Sequence, residues 1–320
     1  MAHVKPPDQV AIVAVAGVLG GYRDEARSRM AGALDGSVED LHQFRVAMRR
    51  ARSVVGVAKG VLPEESRIAL GRSLRVLSRL TSAPRDLDVF MGDLPRLAAE
   101  LSGGDGHRAP SRNVDPESLA ALVDIASAAR ERPAVRLEWA LRGPDGARMF
   151  ELWDTVSATV PPGGVAPGPL ATDSAVEVVD TWTMKSYRRS RERGRAAVRS
   201  DDLGHWHDLR KSLKRLRYLV TSFGYLHERK HVKAVRKPLK ELQEHIGGLQ
   251  DCRVQAELLA EMHDRAEAAH LIGAAQLASA MSEGVGRRME RLHAECTEAW
   301  VEFDTPETEG RFEALTAHRV

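Results

Sequence analysis

Eleven residues beginning at His42, His-Gln-Phe-Arg-Val-Ala-Met-Arg-Arg-Ala-Arg, return in the same register at His207 as His-Asp-Leu-Arg-Lys-Ser-Leu-Lys-Arg-Leu-Arg, an offset of 165 positions. With no gap, the same offset pairs Tyr22-Arg23 with Tyr187-Arg188, Arg72 with Lys237, Arg75 with Lys240 and Asp86 with Asp251. A register kept that long marks a duplicated structural unit. Duplicates of this kind are expected to pack about a pseudo-two-fold axis, as the protomers of a symmetric dimer do.

Both copies read as helix. Leu41, Phe44, Met48, Ala51 and Val55 recur three or four apart, as do Leu209, Leu213, Leu216 and Val220, and no segment shows the sustained period-two pattern of a strand. The fold class expected is therefore all-α. Between the copies, Pro161 to Pro169 holds four prolines and three glycines in nine residues, which no helix tolerates. The expected organisation is a first helical bundle over 1–160, a linker over 161–171 and a second bundle over 172–320. A polar, glycine-rich stretch from Ser102 to Pro116 reads as a long loop inside the first half. Asp173 or Ser174 is expected to start a helix, and Asp115-Pro116-Glu117 another, with Pro near the first helical position.

The longest apolar run, Val10 to Leu19, is too short for a membrane span and lacks the flanks of a signal peptide, so no membrane partner and a cytoplasmic location are expected. Cys252 and Cys296 have no CxxC partner and read as buried, inert thiols. The overall charge, 47 Lys plus Arg against 45 Asp plus Glu, conceals a polarised distribution. Lys185 to Lys240 carries 18 basic and 5 acidic residues, which makes that stretch an anion attractor in an otherwise acidic chain.

Helical geometry sorts the repeated motif into two faces. With His42 at zero, Arg45, Arg49, Arg52 and Arg50 fall at about −60°, −20°, −80° and +80°, while the apolar residues occupy the opposite side. The second copy repeats the division with His207, Arg210, Lys214, Arg215 and Arg217, and Lys211 adds a further cation. A second basic ridge is expected in each half: Arg72, Arg75 and Arg79 with Leu70, Leu74 and Leu77 turned away, and Lys230, Lys233, Lys237 and Lys240 in the counterpart. Like charges at helical-neighbour spacing cost about 0.2–0.5 kcal/mol per pair. Neither motif offers an acidic residue four positions from its cations, so the expected counter-charge is a ligand. A phosphate polyanion fits, because Arg forks take phosphate oxygens bidentately, Lys supplies mobile charge and displaced counterions add entropy.

His42 and His207 open the motifs and can donate to phosphate or serve as ordinary helix-start histidines. No HxxxH or HExxH pattern accompanies them, so no metal ligands and no cofactor are assigned. Asp86 and Asp251 read first as helix-capping groups and second as orienters of arginine. Tyr22 and Tyr187 read as packing residues before phosphate donors.

The H-x-x-R-x-x-x-R/K-R-x-R repeat resembles the CHAD family, the conserved histidine α-helical domain, and the likeness extends through Leu80 to Val89 and Leu242 to Asp251. The resemblance implies two four-helix bundles related by pseudo-two-fold symmetry, a basic central cavity, and binding of inorganic polyphosphate, often with targeting to polyphosphate granules. By that resemblance the ligand contacts fall on His42, Arg45, Arg49, Arg50 and Arg52, on His207, Arg210, Lys214, Arg215 and Arg217, and on Arg72, Arg75, Lys237 and Lys240. Gln250 stands where the first half has Arg85, and Glu244 where it has Arg79, so the two sides are expected to bind unequally. The Glu-x-Glu-x-Lys strand of the triphosphate tunnel domains fused to many relatives is absent from this sequence.

Three function classes compete on these residues. The leading one is a non-enzymatic polyphosphate binder. A nucleic-acid-binding helical protein is the alternative, although only Trp206 and Tyr218 lie near a motif as stacking surfaces, and neither position is shared by the two copies. A phosphate-processing enzyme ranks third, since no Walker-type glycine loop or paired-acid motif is present.

Overall fold

The computed structural model describes residues 9–103, 114–158, 167–200 and 202–317. Within them lie α1 (Ala11–Leu34), α2 (Val38–Val57), α3 (Glu64–Leu80), α4 (Ser82–Gly103), α5 (Pro116–Arg142), α6 (Pro144–Ser157), α7 (Ala175–Val198), α8 (Leu203–Ser222), α9 (Arg229–Ala268), α10 (Ile272–Phe303) and α11 (Pro306–Thr316). Among the described residues the only β pairing is a single bridge between Val10 and Ser174, so the protein is all-α. None of these helices is long and apolar enough to cross a membrane.

The chain divides into two compact units, each drawn from both sides of the proline-rich segment. Unit 1 comprises residues 1–78, 140–246 and 297–320, and unit 2 residues 79–139 and 247–296. In unit 1, α1 packs on α2 and α7 on α8; α1 also packs on α7, and α2 on α8. Each helix of one hairpin thus meets its own repeat counterpart. The apolar run from Val10 supplies core: Ala11, Ala14, Val15, Ala16 and Leu19 are almost wholly buried in α1. Trp153 of α6 is fully buried against this helix and donates from Nε1 to the Leu19 carbonyl at 2.9 Å.

Local chemistry explains where these helices begin and end. Ser174 is the N-cap residue of α7, as expected. In unit 2, Asp115 accepts from the Ser118 amide at 3.0 Å and the Glu117 amide at 3.3 Å, with Pro116 at the first position of α5. Most of the long loop and most of the linker, residues 104–113 and 159–166, lie outside the described residues. The end of the linker is held in unit 1: the Gly168 amide donates to the Val61 carbonyl at 3.1 Å and the Leu170 amide to the Gly60 carbonyl at 2.7 Å. Gly60 takes φ +83°, and a Cβ on Gly168 would stand 2.3 Å from the Gly60 backbone, so the turn after α2 and the linker end both require glycine.

The far side of α7 is locked to the C-terminal helix. Tyr187 is fully buried and stacks on Phe312 with ring centroids 4.0 Å apart, so it is a packing residue, and burial pushes its phenol up to about 12. Arg191 and Arg195 of α7 bind Asp304 at 2.6 and 2.8 Å. Unit 2 has its own core, with Phe90, Leu94, Leu122, Leu259, Met262 and Met281 almost wholly buried. Cys252 and Cys296 are both buried free thiols, and burial raises the Cys296 thiol to about 12, which removes its nucleophilic form at neutral pH.

Candidate functional site

The duplicated motif sits on two helices with matching bounds. α2 and α8 are 20 residues each, and both ends of α8 follow those of α2 by the repeat offset. Their caps match as well. Ser37 Oγ accepts from the Asp40 amide at 3.2 Å, and Asp202 Oδ1 accepts from the Gly204 amide at 2.7 Å. An N-cap of this kind is worth about 1 kcal/mol and fixes where each motif helix begins. Leu41, Phe44, Met48, Ala51 and Val55 are buried on α2, and Leu209, Leu213, Leu216 and Val220 on α8. The apolar and basic faces therefore divide as the sequence predicts.

Packing of α2 on α8 brings cations from the two copies together. Arg49 of α2 and Arg217 of α8 both lie over the ring of buried Tyr218, 6.0 and 5.7 Å from its centroid. Arg52 is held below the ordinary guanidinium range, first by burial and then by repulsion from Arg49, Arg75 and Arg215, so three helices contribute to one positive cluster. Among the described residues, Arg49, Arg52, Arg72, Arg75, Arg215 and Arg217 have no carboxylate within 4.0 Å. Nε of Arg49 is buried and has no acceptor among the protein's own atoms. His42, Arg45, His207, Arg210 and Lys214 lie half-buried on the same two helices.

Other predicted cations are already paired within the protein. Arg50 meets Glu25 of α1 at 3.6 Å and lies over the Tyr22 ring at 5.8 Å. Lys211 pairs with Asp208 at 3.1 Å, an acidic partner inside the second motif at i−3, which a search confined to four-residue spacing misses. On α9, Lys237 and Lys240 face Glu241 and Glu244 at 3.9 and 3.4 Å, and Lys230 faces Glu228 at 2.9 Å. Lys233 alone of that ridge has no such neighbour among the described residues. The second ridge is thus unequal in the two halves: Arg72 and Arg75 of α3 are unpaired, with Leu70, Leu74 and Leu77 buried behind them. Arg79 belongs to unit 2, as do Asp86 and Asp251.

Helices α1 and α7 add three residues beside the motifs: Tyr22, read from the sequence as a packing residue, and Arg189 and Arg193, which the repeat did not single out. Tyr22 of α1 shares a 2.7 Å hydrogen bond with Ser222 of α8, so it joins the two halves and flanks Arg50. Arg189 and Arg193 of α7 stand near Arg215. The Arg215 guanidinium is held below its ordinary range, first by the protein packed around it and then by these two charges, although the residue keeps much of its surface open. The charge count over Lys185 to Lys240 carried this signal, but periodicity alone did not assign the α7 cations to the site. Trp206, considered as a stacking surface, is almost wholly buried.

The unpaired cluster makes a stability prediction. Arg52→Met keeps the packing of the alkyl stem and removes three like-charge repulsions, at about 0.2–0.5 kcal/mol each. The ligand-free protein is expected to gain about 0.6–1.5 kcal/mol, seen as a higher urea midpoint at unchanged slope. A lower midpoint would show that Arg52 has a compensating interaction in the folded state.

Fold and site together define an all-α protein in which two capped, basic, duplicated helices pack on each other. Residues 17–260 match the CHAD domain family, and the chain belongs to it. Two solved structures share the fold. The crystal structure of the CHAD domain from the plant Ricinus communis is 21% identical, with a TM-score of 0.64, covering 100% of this chain and 96% of the other. PptA from Streptomyces chartreusis is 16% identical, with a TM-score of 0.67, covering 92% of this chain and 100% of the other. No curated protein matches the sequence.

Proposed function

We propose that this protein is a non-enzymatic binder of inorganic polyphosphate, and that it acts in the cytoplasm and at polyphosphate granules. One observation carries the reading: α2 and α8 pack together so that Arg49, Arg52, Arg75 and Arg215 share a positive cluster with no carboxylate within reach among the described residues. Such a cluster is destabilising by itself and is relieved by an anion that offers several oxygens along its length. A linear phosphate chain does this with every unit, and its condensed counterions leave as the arginines replace them. Membership of the CHAD family, whose resemblance implied this ligand, agrees with the charge geometry.

The test is retention on biotinylated polyphosphate across a salt series. With four cations engaged, log Kd is expected to change with log salt at a slope of roughly 3, using the coefficient of about 0.7 per phosphate for flexible single strands. Retention that ignores salt, or failure to bind at low salt, would remove the proposal. Stronger binding of single-stranded DNA or RNA than of polyphosphate at equal phosphate concentration would favour the nucleic-acid alternative. Release of orthophosphate with Mg²⁺ present would instead make the protein an enzyme.

A further inference from the structure

The repeat is uneven where α1 and α7 flank the basic residues of the motif helices. On the first side, Glu25 of α1 neutralises Arg50 at 3.6 Å, and Arg23 is held by Asp24 and Asp154 at 2.9 and 3.1 Å. At the repeat offset, Glu25 becomes Ser190, Asp24 becomes Arg189 and Gly20 becomes Lys185. Ser190 is buried and shares a 2.9 Å hydrogen bond with Ser212 of α8, while Arg193 donates to the Asp208 carbonyl at 3.0 Å. These bonds fix α7 beside α8 with Arg189 next to Ser190 in sequence and Arg215 one turn beyond Ser212.

The second side therefore keeps its charge. Among the described residues, Lys185, Arg188 and Arg189 have no carboxylate within 4.0 Å, and all three are exposed. They line a groove of about 890 Å³ along α7, which also takes in Asp180 and Glu192. Asp180 is engaged by His227 Nε2 at 2.7 Å, so Glu192 is the acid facing these cations from their own helix. A phosphate chain held at Arg52 and Arg215 meets carboxylates toward α1 and free cations toward α7.

We infer that polyphosphate leaves the α2–α8 site on one side only, along the α7 groove, where Lys185, Arg188 and Arg189 bind the phosphates beyond Arg215. This rests on the polyphosphate reading above and adds a direction and a length dependence to it. Chains too short to reach the groove should not sense it, whereas long chains should gain from it.

The experiment compares the full chain, Lys185→Gln/Arg188→Gln and Arg23→Gln, titrated with tripolyphosphate and with polyphosphate of about 100 units. The double variant is expected to weaken the long chain about tenfold and to make its salt slope shallower by roughly 1.4, at the same coefficient of about 0.7 per contact, with tripolyphosphate affinity within about twofold of wild type. Arg23→Gln should leave both unchanged. Equal weakening for both lengths, no weakening for either, or an Arg23→Gln effect as large as that of the double variant would overturn the inference and leave the proposed function standing. Wild-type protein that binds neither polymer would overturn both. All three positions are half-buried or exposed, and unchanged thermal melts would confirm intact folding.

Discussion

Arg49→Glu, Arg52→Glu and Arg215→Glu together are expected to abolish retention on polyphosphate while leaving the helical fold intact. Each arginine contributes a charge-assisted interaction of about 1.5 kcal/mol or more with phosphate, so losing three corresponds to at least a thousandfold in Kd, roughly. Reversal adds repulsion to that loss. Folding should survive, because the new carboxylates stand among Arg75, Arg189, Arg193 and Arg217 and turn repulsive neighbours into pairs. Circular dichroism and a thermal melt, run beside the pull-down, separate the two effects. Retention by a folded triple variant would mean that the shared cluster is not where the polymer sits.

The largest stability effect is expected at Gly194, near the C-terminal end of α7. A Cβ there would fall 2.1 Å from Cη2 of Trp300, whose ring is almost wholly buried and lies 5.7 Å from that of Phe303. Gly194→Leu is expected to cost about 3 kcal/mol, the upper end of overpacking penalties, because the buried indole must shift to admit the side chain. Gly247→Ala in α9 is the matched control. Nothing lies within 4 Å of a Cβ at that position, so the substitution should stabilise by about 0.5–1 kcal/mol through backbone entropy and helix propensity. Urea midpoints of the two variants should move in opposite directions. A neutral Gly194→Leu would show that the α7 packing is looser than its geometry implies.

Much of the site was legible before any coordinates. The starts of α5 and α7, the buried apolar stripes of α2 and α8, and the division of each motif helix into two faces follow from signals confined to about one helical turn. The pairing of Lys237 and Lys240 with Glu241 and Glu244 was also within reach, since these are i,i+4 neighbours on one helix. The capping match of Ser37 and Asp202 sat at the repeat offset as well.

By itself the sequence determined the helical class, the duplicated unit and the residues that could meet a polyanion, because capping and amphipathic periodicity act through backbone geometry over three or four residues. Only the tertiary structure decided which of those charges remain unneutralised. Glu25 reaches Arg50 and Asp154 reaches Arg23 across helices, while Arg52 and Arg215, far apart along the chain, come close enough to repel. Coulomb energy depends on separation in space and on the water excluded between the charges, and neither is written in residue order. The same holds for Gly194, which reads in isolation as a weak point in a helix and becomes, once α10 is in place, the only residue small enough to face Trp300.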